Sequence, residues 1–226
     1  GAVGVVAVGA GGAWVNNENT RLGSSVSLAD TSLDDLGGQR INSVLNPALM
    51  PRLLAGSGIV WDSVAAIAAR GEPLPTAALT VSLRATLPTM RREIVSPNVV
   101  GMLSGTDRTL RDEVVVLTAH LDHVGTFKGP VLTGDSIFNG AMDNAMGIAS
   151  MIEVAHGFKH LKARPKRSIL FLAVTAEEKG LVGADYYANN PTFPKANLVG
   201  NVNLDMPIVT YDFKDVIAFG AERSSI

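Results

Sequence analysis

The chain has 226 residues, with 19 Lys and Arg against 21 Asp and Glu, so its formal net charge is −2. This balance excludes a basic nucleic-acid-binding surface and gives no reason to expect binding to a membrane surface. Hydrophobic residues make up 46% of the chain and charged residues only 18%. Such a composition can bury a full core and argues against intrinsic disorder. Cysteine is absent, which excludes disulfides, thiolate metal sites and a cysteine nucleophile.

The longest uncharged stretch is residues 1–17, which five glycines interrupt. It is too short to be a transmembrane segment, and its pattern predicts a buried strand that runs into a glycine turn. It has no basic start and so does not resemble a signal peptide. Because the chain also opens without Met, we expect it to be a piece of a longer polypeptide whose export signal lies outside these residues.

The first 95 residues mix short apolar runs with Gly, Ser, Asn and Pro, and they contain no His. Two short helices are predicted there, at Pro47–Ala55 and at Asp62–Arg70, the second ending at Gly71. Alternation of apolar and polar residues predicts a strand at Leu79–Leu87.

From Asn98 onward, apolar runs typical of strands alternate with helical patterns. The predicted elements are a short strand at Val99–Leu103, buried strands at Glu113–Ala119, Ser168–Thr175 and Leu198–Leu204, and helices at Ala145–Leu161 and about Gly180–Asn189. This order predicts the α/β class, a mostly parallel mixed sheet with helices on both faces in a three-layer α/β/α sandwich.

Ionisable residues follow each of the three buried strands and begin the helix between the first two. They are His120, Asp122 and His123 after the first strand, Asp143 at the helix start, Glu177 and Glu178 after the second strand, and Asp205 after the third. Ligands of open α/β sheets bind beyond the carboxyl ends of the strands. We therefore expect these side chains to converge at one edge of the sheet.

Five of these side chains are carboxylates, and no Lys or Arg lies among them except Lys179. Like charges at a partly buried edge raise some pKa values strongly unless a cation neutralises them. Imidazole and carboxylate ligands suit Zn²⁺, with Mn²⁺ or Co²⁺ as alternatives. One zinc takes about three protein ligands, so this set predicts two metals about 3.5–4 Å apart.

Other candidate sites in the sequence carry less weight. His156 and His160 have a metal-binding spacing, but they lie at a basic helix end, where we interpret them as stabilising the helix terminus. His123 is left open, because it either lines the cleft or packs. The absence of a GxSxG motif excludes a hydrolase nucleophile elbow. The Gly-rich stretch near the N-terminus lacks the GxGxxG spacing and the Walker lysine, so no nucleotide-binding site is predicted.

Four ordered motifs resemble those of the zinc-dependent exopeptidases related to bacterial leucyl aminopeptidases and glutamate carboxypeptidase. They are AHLDHVG (119–125), NGAMDNAMGIAS (139–150), VTAEEKGLVGADYY (174–187) and NLDMP (203–207). The resemblance covers about residues 96–226, which are then the N-terminal part of the catalytic domain. Residues 1–95 resemble the C-terminal part of the β-rich protease-associated domain that is inserted in many members. The resemblance also implies a secreted or periplasmic protein.

The resemblance assigns a role to each residue of the constellation. His120 and Asp205 would bind the first metal, Glu178 would bind the second, Asp143 would bridge both, Glu177 would be the general base for the attacking water, and Asp122 would orient His120. The family has one further His on its second metal, well downstream of these motifs. All four His of the sequence lie at or before position 160, so we expect that ligand to lie outside these residues.

The resemblance implies a di-zinc aminopeptidase that acts on short peptides. A carboxypeptidase or a single-zinc glutaminyl-cyclase-like enzyme of the same fold remains open. A third alternative is a catalytically inactive relative that serves as an interaction domain. The intact Glu177 and the four intact ligands argue against that third alternative.

Overall fold

The structure is a computed structural model in which the described residues fall into two compact units. These residues are 4–8, 25–33, 41–82, 90–126, 134–208, 211–212, 214 and 218–223. The first unit comprises Gly1–Ser25 and Ala29–Glu93, and the second comprises Val26–Leu28 and Ile94–Ile226.

The first unit contains a pair of parallel strands and two short helices. Strand β1 (Gly4–Val8) pairs along its whole length with β2 (Ile41–Leu45). The helices are α1 (Met50–Leu53) and α2 (Trp61–Ala69). Both helices were predicted from the sequence, and both are confirmed.

The boundaries of these two helices have local causes. A 3₁₀ turn, Pro47–Leu49, precedes α1, and the Asn46 side chain accepts the backbone N–H of Ala48 at its start. Helix α2 ends just before Gly71, whose φ of +69° is a left-handed conformation that glycine adopts at helix ends. Of the predicted strand at Leu79–Leu87, positions 79–82 have no regular structure and positions 83–89 lie outside the described residues.

The second unit is built on a four-stranded sheet. Its elements in chain order are β3 (Val99–Leu103), β4 (Val114–His120), α3 (Met146–His160), β5 (Ser168–Val174), α4 (Val182–Asn189) and β6 (Leu198–Asn203). The strand order is β3-β5-β4-β6. Strand β4 runs parallel to both of its neighbours, whereas β3 is antiparallel to β5. The predicted mixed, mostly parallel sheet is confirmed.

Alternate residues of the two central strands pack against helices on opposite faces of the sheet. On one face, Leu170 and Leu172 of β5 cluster with Val116 of β4 and with Tyr187 of α4. On the other face, Ala119 and Ala173 cluster with Met151 of α3. Side chains of a strand alternate between faces, so one apolar run supplies both cores. The predicted three-layer α/β/α arrangement is confirmed.

Strand β6 differs from the sequence prediction. Its apolar pattern predicts a buried strand, yet four of its six residues are exposed. Within the described part of the sheet, β6 pairs with β4 alone and therefore lies at an edge. The described residues include no helix that is long and apolar enough to cross a membrane.

The burial of β5 leads to a stability prediction. Leu170→Ala removes a side chain that is 0% exposed, so the free energy of unfolding should fall by about 2–5 kcal/mol through lost burial and cavity formation. Leu161→Ala, in a side chain that is 51% exposed, is the matched control and should change stability by about 0.5 kcal/mol or less. Urea unfolding measures both values, and equal losses would contradict the assignment of β5 to the core.

Candidate metal centre

The strand register brings the predicted functional residues to one end of the sheet. His120, the last residue of β4, pairs with Val174 at the end of β5, and Thr118 pairs with Asn203 at the end of β6. The segments that follow these ends carry Asp122 and His123, Glu177 and Glu178, and Asp205, while Asp143 precedes α3. All of the side chains predicted to converge therefore lie at the same edge.

A first group of side chains surrounds the Nε2 atom of His120. The imidazole is buried, with a side-chain exposure of 3%, and Nε2 lies 3.0 Å from Asp143 Oδ1 and 3.4 Å from Asp205 Oδ1. Ligands of one tetrahedral zinc with bonds near 2.0–2.1 Å lie about 3.3 Å apart. The three side chains therefore have the spacing of a single ion's ligands.

The other nitrogen of His120 fixes the tautomer of the ring. Nδ1 lies 2.9 Å from the backbone carbonyl oxygen of Asp122, which can only accept a hydrogen bond. Nδ1 is therefore the donor, and the lone pair of the neutral ring is on Nε2, the atom that faces the carboxylates. The carboxylate of Asp122, expected to orient His120, is 3.9 Å from Nδ1. In the structure, the backbone of Asp122 makes the bond to the ring.

The carboxylate of Asp122 bonds instead to the segment after β5. Its Oδ1 accepts the backbone N–H of Glu177 at 2.9 Å, and its Oδ2 accepts that of Glu178 at 3.2 Å. Asp122 thus accepts a hydrogen bond from the His120 ring through its backbone carbonyl, and from the backbone N–H groups of Glu177 and Glu178 through its carboxylate. This arrangement fixes the glutamates relative to the end of β4.

Charge and burial shift the pKa values of His120 and Glu177. Burial opposes the protonated form of His120, but the bond to Asp122 and the negative charges of Glu177, Asp205 and Asp143 outweigh it and raise the pKa of the ring. Burial raises the pKa of Glu177, and the neighbouring carboxylates raise it further against the opposing effect of His120. A glutamate with a raised pKa is suited to accept and release a proton near neutral pH.

A second group of side chains lies on the other side of Asp143. His123 Nδ1 is 2.7 Å from Glu178 Oε1 and 3.6 Å from Asp143 Oδ2. The first group faces Oδ1 of Asp143 and the second faces Oδ2, so the two groups share this carboxylate. Among the described residues, these two sets of His, Asp and Glu are the ones with ligand spacing.

The donor set fits zinc. Both groups combine one imidazole nitrogen with two carboxylates, which are ligand types that zinc prefers. His123 Nδ1 and Glu178 Oε1 are buried and find no hydrogen-bond partner among the described residues, because the short contact between them lacks hydrogen-bond geometry. Buried polar atoms without a partner are costly, and a cation would satisfy both.

Asn144 ties the Asp143 segment to the end of β6, and sequence analysis did not single it out. Its side chain is buried, and Nδ2 donates to Leu204 O at 2.9 Å. Oδ1 accepts from Met206 N at 3.3 Å and from Gly147 N at 3.0 Å. Because Leu204 and Met206 flank Asp205, this amide holds two of the candidate ligand segments together.

The sequence pattern carried only a weak signal for Asn144. An Asn at the start of a helix pattern is ordinarily a cap, and its Oδ1 does accept the N–H of Gly147 in the first turn of α3. A Cβ at Gly147 would approach Asn144 Oδ1 and Leu204 O too closely. The glycine allows this close approach, and so helps to explain the DNxxG spacing.

His156 and His160 lie in the C-terminal part of α3. The His156 side chain is 63% exposed and lies 3.7 Å from Glu153. Neither His belongs to the ligand groups found among the described residues.

Comparison with known proteins identifies the family. Residues 98–225, more than half of the chain, match the family model described as Peptidase family M28. The chain belongs to peptidase family M28. This result confirms the resemblance to zinc-dependent exopeptidases drawn from the four motifs.

Two curated relatives and one solved structure illustrate the similarity. A "probable zinc metalloprotease" of Pyrenophora tritici-repentis is 43% identical over 67 residues, which is 30% of this chain and 15% of the relative. A "probable glutamate carboxypeptidase" of Arthroderma benhamiae is 30% identical over 142 residues, 60% of this chain and 17% of the relative. A zinc aminopeptidase from Bacillus subtilis of known structure is 28% identical, with a TM-score of 0.37 over 48% of this chain and 24% of its own. The chain thus spans less than a fifth of the length of these curated relatives.

The bonds of Asn144 lead to a second prediction. Asn144→Asp keeps the acceptor for Met206 and Gly147 but places a carboxylate oxygen against Leu204 O, where Nδ2 now donates. We expect a loss of about 1–3 kcal/mol in the free energy of unfolding and, because the carboxylate repels the Leu204 carbonyl, faster exchange of the Leu204 amide, which donates to Thr118 O.

The matched control for this prediction is Asn189→Asp. Asn189 Nδ2 also donates to a backbone carbonyl, that of Asp185 at 2.9 Å, but it is exposed on α4. The control should cost about 0.5 kcal/mol or less, including the new repulsion with Asp185. Urea unfolding and hydrogen exchange by mass spectrometry measure both effects, and unchanged exchange at Leu204 in Asn144→Asp would contradict the role given to the amide.

Proposed function

We propose that the second unit carries the catalytic centre of a di-zinc aminopeptidase that removes N-terminal residues from peptides. The observation that carries this proposal is the shared carboxylate of Asp143. Its two oxygens face two separate groups of ligand-type side chains. A carboxylate shared by two groups of ligands could hold two ions close together, as two-metal hydrolases need.

Each predicted residue has a place in this proposal. His120 and Asp205 would hold the first ion, Glu178 would hold the second, and Asp143 would hold both. Zinc bound there would lower the pKa of a coordinated water and polarise the scissile carbonyl of the substrate. The Nδ1–H bond to the Asp122 carbonyl keeps His120 Nε2 directed at the first ion's position.

Glu177 is the proposed general base. Its Oε2 lies 3.9 Å from His120 Nε2, so the carboxylate borders the first group without being part of it. The raised pKa of Glu177 brings its proton affinity closer to what proton transfer near neutral pH needs. The backbone bond to Asp122 fixes where this carboxylate stands, and this is the positioning role that we assign to Asp122 beyond its contact with His120.

The proposal extends to the remainder of the chain. Residues 96–226 would be the N-terminal part of the peptidase domain, and residues 1–95 the C-terminal part of a protease-associated domain. The whole protein would be secreted or periplasmic.

The substrate class is tested by incubating the zinc-loaded protein with short peptides blocked at either end and measuring the amino acid released. Release that requires a free N-terminus supports the proposal, whereas release that requires a free C-terminus supports a carboxypeptidase.

Two substitutions separate the proposed base from the proposed bridge. Glu177→Gln should leave the zinc content near normal and lower turnover by about 10²–10⁴-fold, the usual contribution of a general base. Asp143→Asn should instead lower the zinc content, because it removes a charge that both ions share. Elemental analysis and the amino-acid-release assay measure the two effects, and equal zinc loss in both variants would contradict these roles.

A further inference from the structure

We infer that Asn98 is a positioning residue, whose side-chain amide fixes the segment that carries Glu177 and Glu178. This glutamate segment, residues 175–183, joins the end of β5 to the first turn of α4. The inference rests on the proposed function, because it gives Asn98 an effect on turnover through the proposed base, Glu177. Asn98 itself belongs to neither group of candidate ligands.

Asn98 lies at the functional edge of the sheet because of the direction of β3. Strand β3 is antiparallel to β5, and its first residue, Val99, pairs with Ala173 near the end of β5. The residue before β3 therefore lies beside the point where β5 ends and the glutamate segment begins. Asn98 and Thr175 are 77 residues apart in the chain, and the sheet places them side by side.

Both ends of the glutamate segment bond to the amide of Asn98. Its Oδ1 accepts the backbone N–H of Thr175 at 3.0 Å, and its Nδ2 donates to the backbone carbonyl of Gly183 at 2.8 Å. The two ends also bond to each other, since the N–H of Gly183 donates to Thr175 O at 3.1 Å. A side-chain amide offers an acceptor and a donor in one plane. Asn98 uses both groups to close the base of the segment.

The close approach at Gly183 depends on the absence of a side chain there. Gly183 is buried, and a Cβ at this position would lie 2.7 Å from Asn98 Oδ1 and 2.9 Å from Thr175 N. It would also collide with Thr175 O. A side chain at position 183 would therefore push the two ends of the glutamate segment apart and away from Asn98.

The backbone of the glutamate segment needs support from outside the segment. Ala176 and Leu181 have left-handed φ values of +52° and +61°, which are unfavourable for residues with a side chain and persist only where the surrounding structure enforces them. Asp122 holds the middle of the segment at two backbone N–H groups. Asn98 holds its two ends, so the position of the Glu177 carboxylate depends on both residues.

The test is a double-mutant cycle between Asn98 and the proposed base. Asn98→Ala removes both amide bonds and should lower kcat for amino-acid release by about 10–100-fold at saturating zinc, with little change in KM, because the base is displaced. In the Glu177→Gln background the same change should lower kcat by about twofold or less, since no base is left to displace. A purely structural defect would lower kcat equally in both backgrounds.

Two further variants accompany the cycle. Asn190→Ala is the matched control, because Asn190 Nδ2 also donates to a backbone carbonyl, that of Tyr186 at 3.1 Å, but it is exposed at the C-terminal end of α4. This control should leave kcat unchanged. Asn98→Ser keeps a neutral hydroxyl that is too short to span both ends of the segment, so its loss of kcat should be intermediate. Circular dichroism checks folding, and Asn98→Ser replaces Asn98→Ala in the cycle if the latter does not fold.

Hydrogen exchange of the metal-free protein provides a measurement that does not depend on activity. Peptides that cover the glutamate segment should exchange about fivefold or more faster in Asn98→Ala than in the unmodified protein, because its base is no longer closed. Peptides that cover β4 should keep their rates in this variant. Asn190→Ala should leave the exchange of the glutamate segment unchanged.

The outcomes separate this inference from the proposed function. Equal losses of kcat in both backgrounds, or unchanged exchange of the glutamate segment in Asn98→Ala, would overturn the role of Asn98 and leave the peptidase proposal standing. Faster exchange in Asn98→Ala, together with no amino-acid release by the unmodified protein, would refute the proposed activity and uphold Asn98 as the residue that fixes the segment.

Discussion

The end of the sheet is organised by the crowding of negative charge around one buried imidazole. His120 has Asp143, Asp205 and Glu177 within 4 Å of its Nε2 atom. Such crowding is unfavourable unless hydrogen bonds or positive charge offset it. Asp122 is stabilised by two backbone N–H groups, but no comparable pair of bonds is found at the other three carboxylates among the described residues. Of these three, Asp143 and Asp205 have the spacing of ligands to one ion with His120, so theirs are the charges that a bound cation would neutralise.

Most of the fold and the composition of the site could be predicted because they depend on strand ends. The apolar runs locate β4, β5 and β6 to within a residue or two, and parallel strands must end at the same edge. The exposure of β6 could not be predicted in this way, because it depends on which strands become neighbours. The surroundings of His123 could not be predicted for the same reason. This residue follows β4, whereas Glu178, which it contacts, follows the neighbouring strand β5.

Other features of the site depend on backbone atoms, which a sequence motif does not identify. The Asp122 carbonyl, rather than its carboxylate, meets the His120 ring. Two residues next to candidate functional carboxylates also have a left-handed backbone, Ala176 with φ +52° and Met206 with φ +48°. Such conformations cost about 1–3 kcal/mol in residues with a side chain. The chain accepts this cost at the turns next to Glu177 and Asp205.

The wide separation of the paired strands along the chain has a consequence for how the protein folds. Strand β6 pairs directly with β4, although α3, β5 and α4 lie between these two strands in the sequence. Contacts between distant segments form slowly, because a large loop must close before any pairing is gained. Helix α3 and its neighbours can form from local contacts, but Asp205 joins the other side chains of the site only after β6 has docked. A metal ion bound by the group that includes Asp205 would therefore find all of its ligands only late in folding. Such an ion would stabilise a structure that is already nearly folded and would not initiate folding.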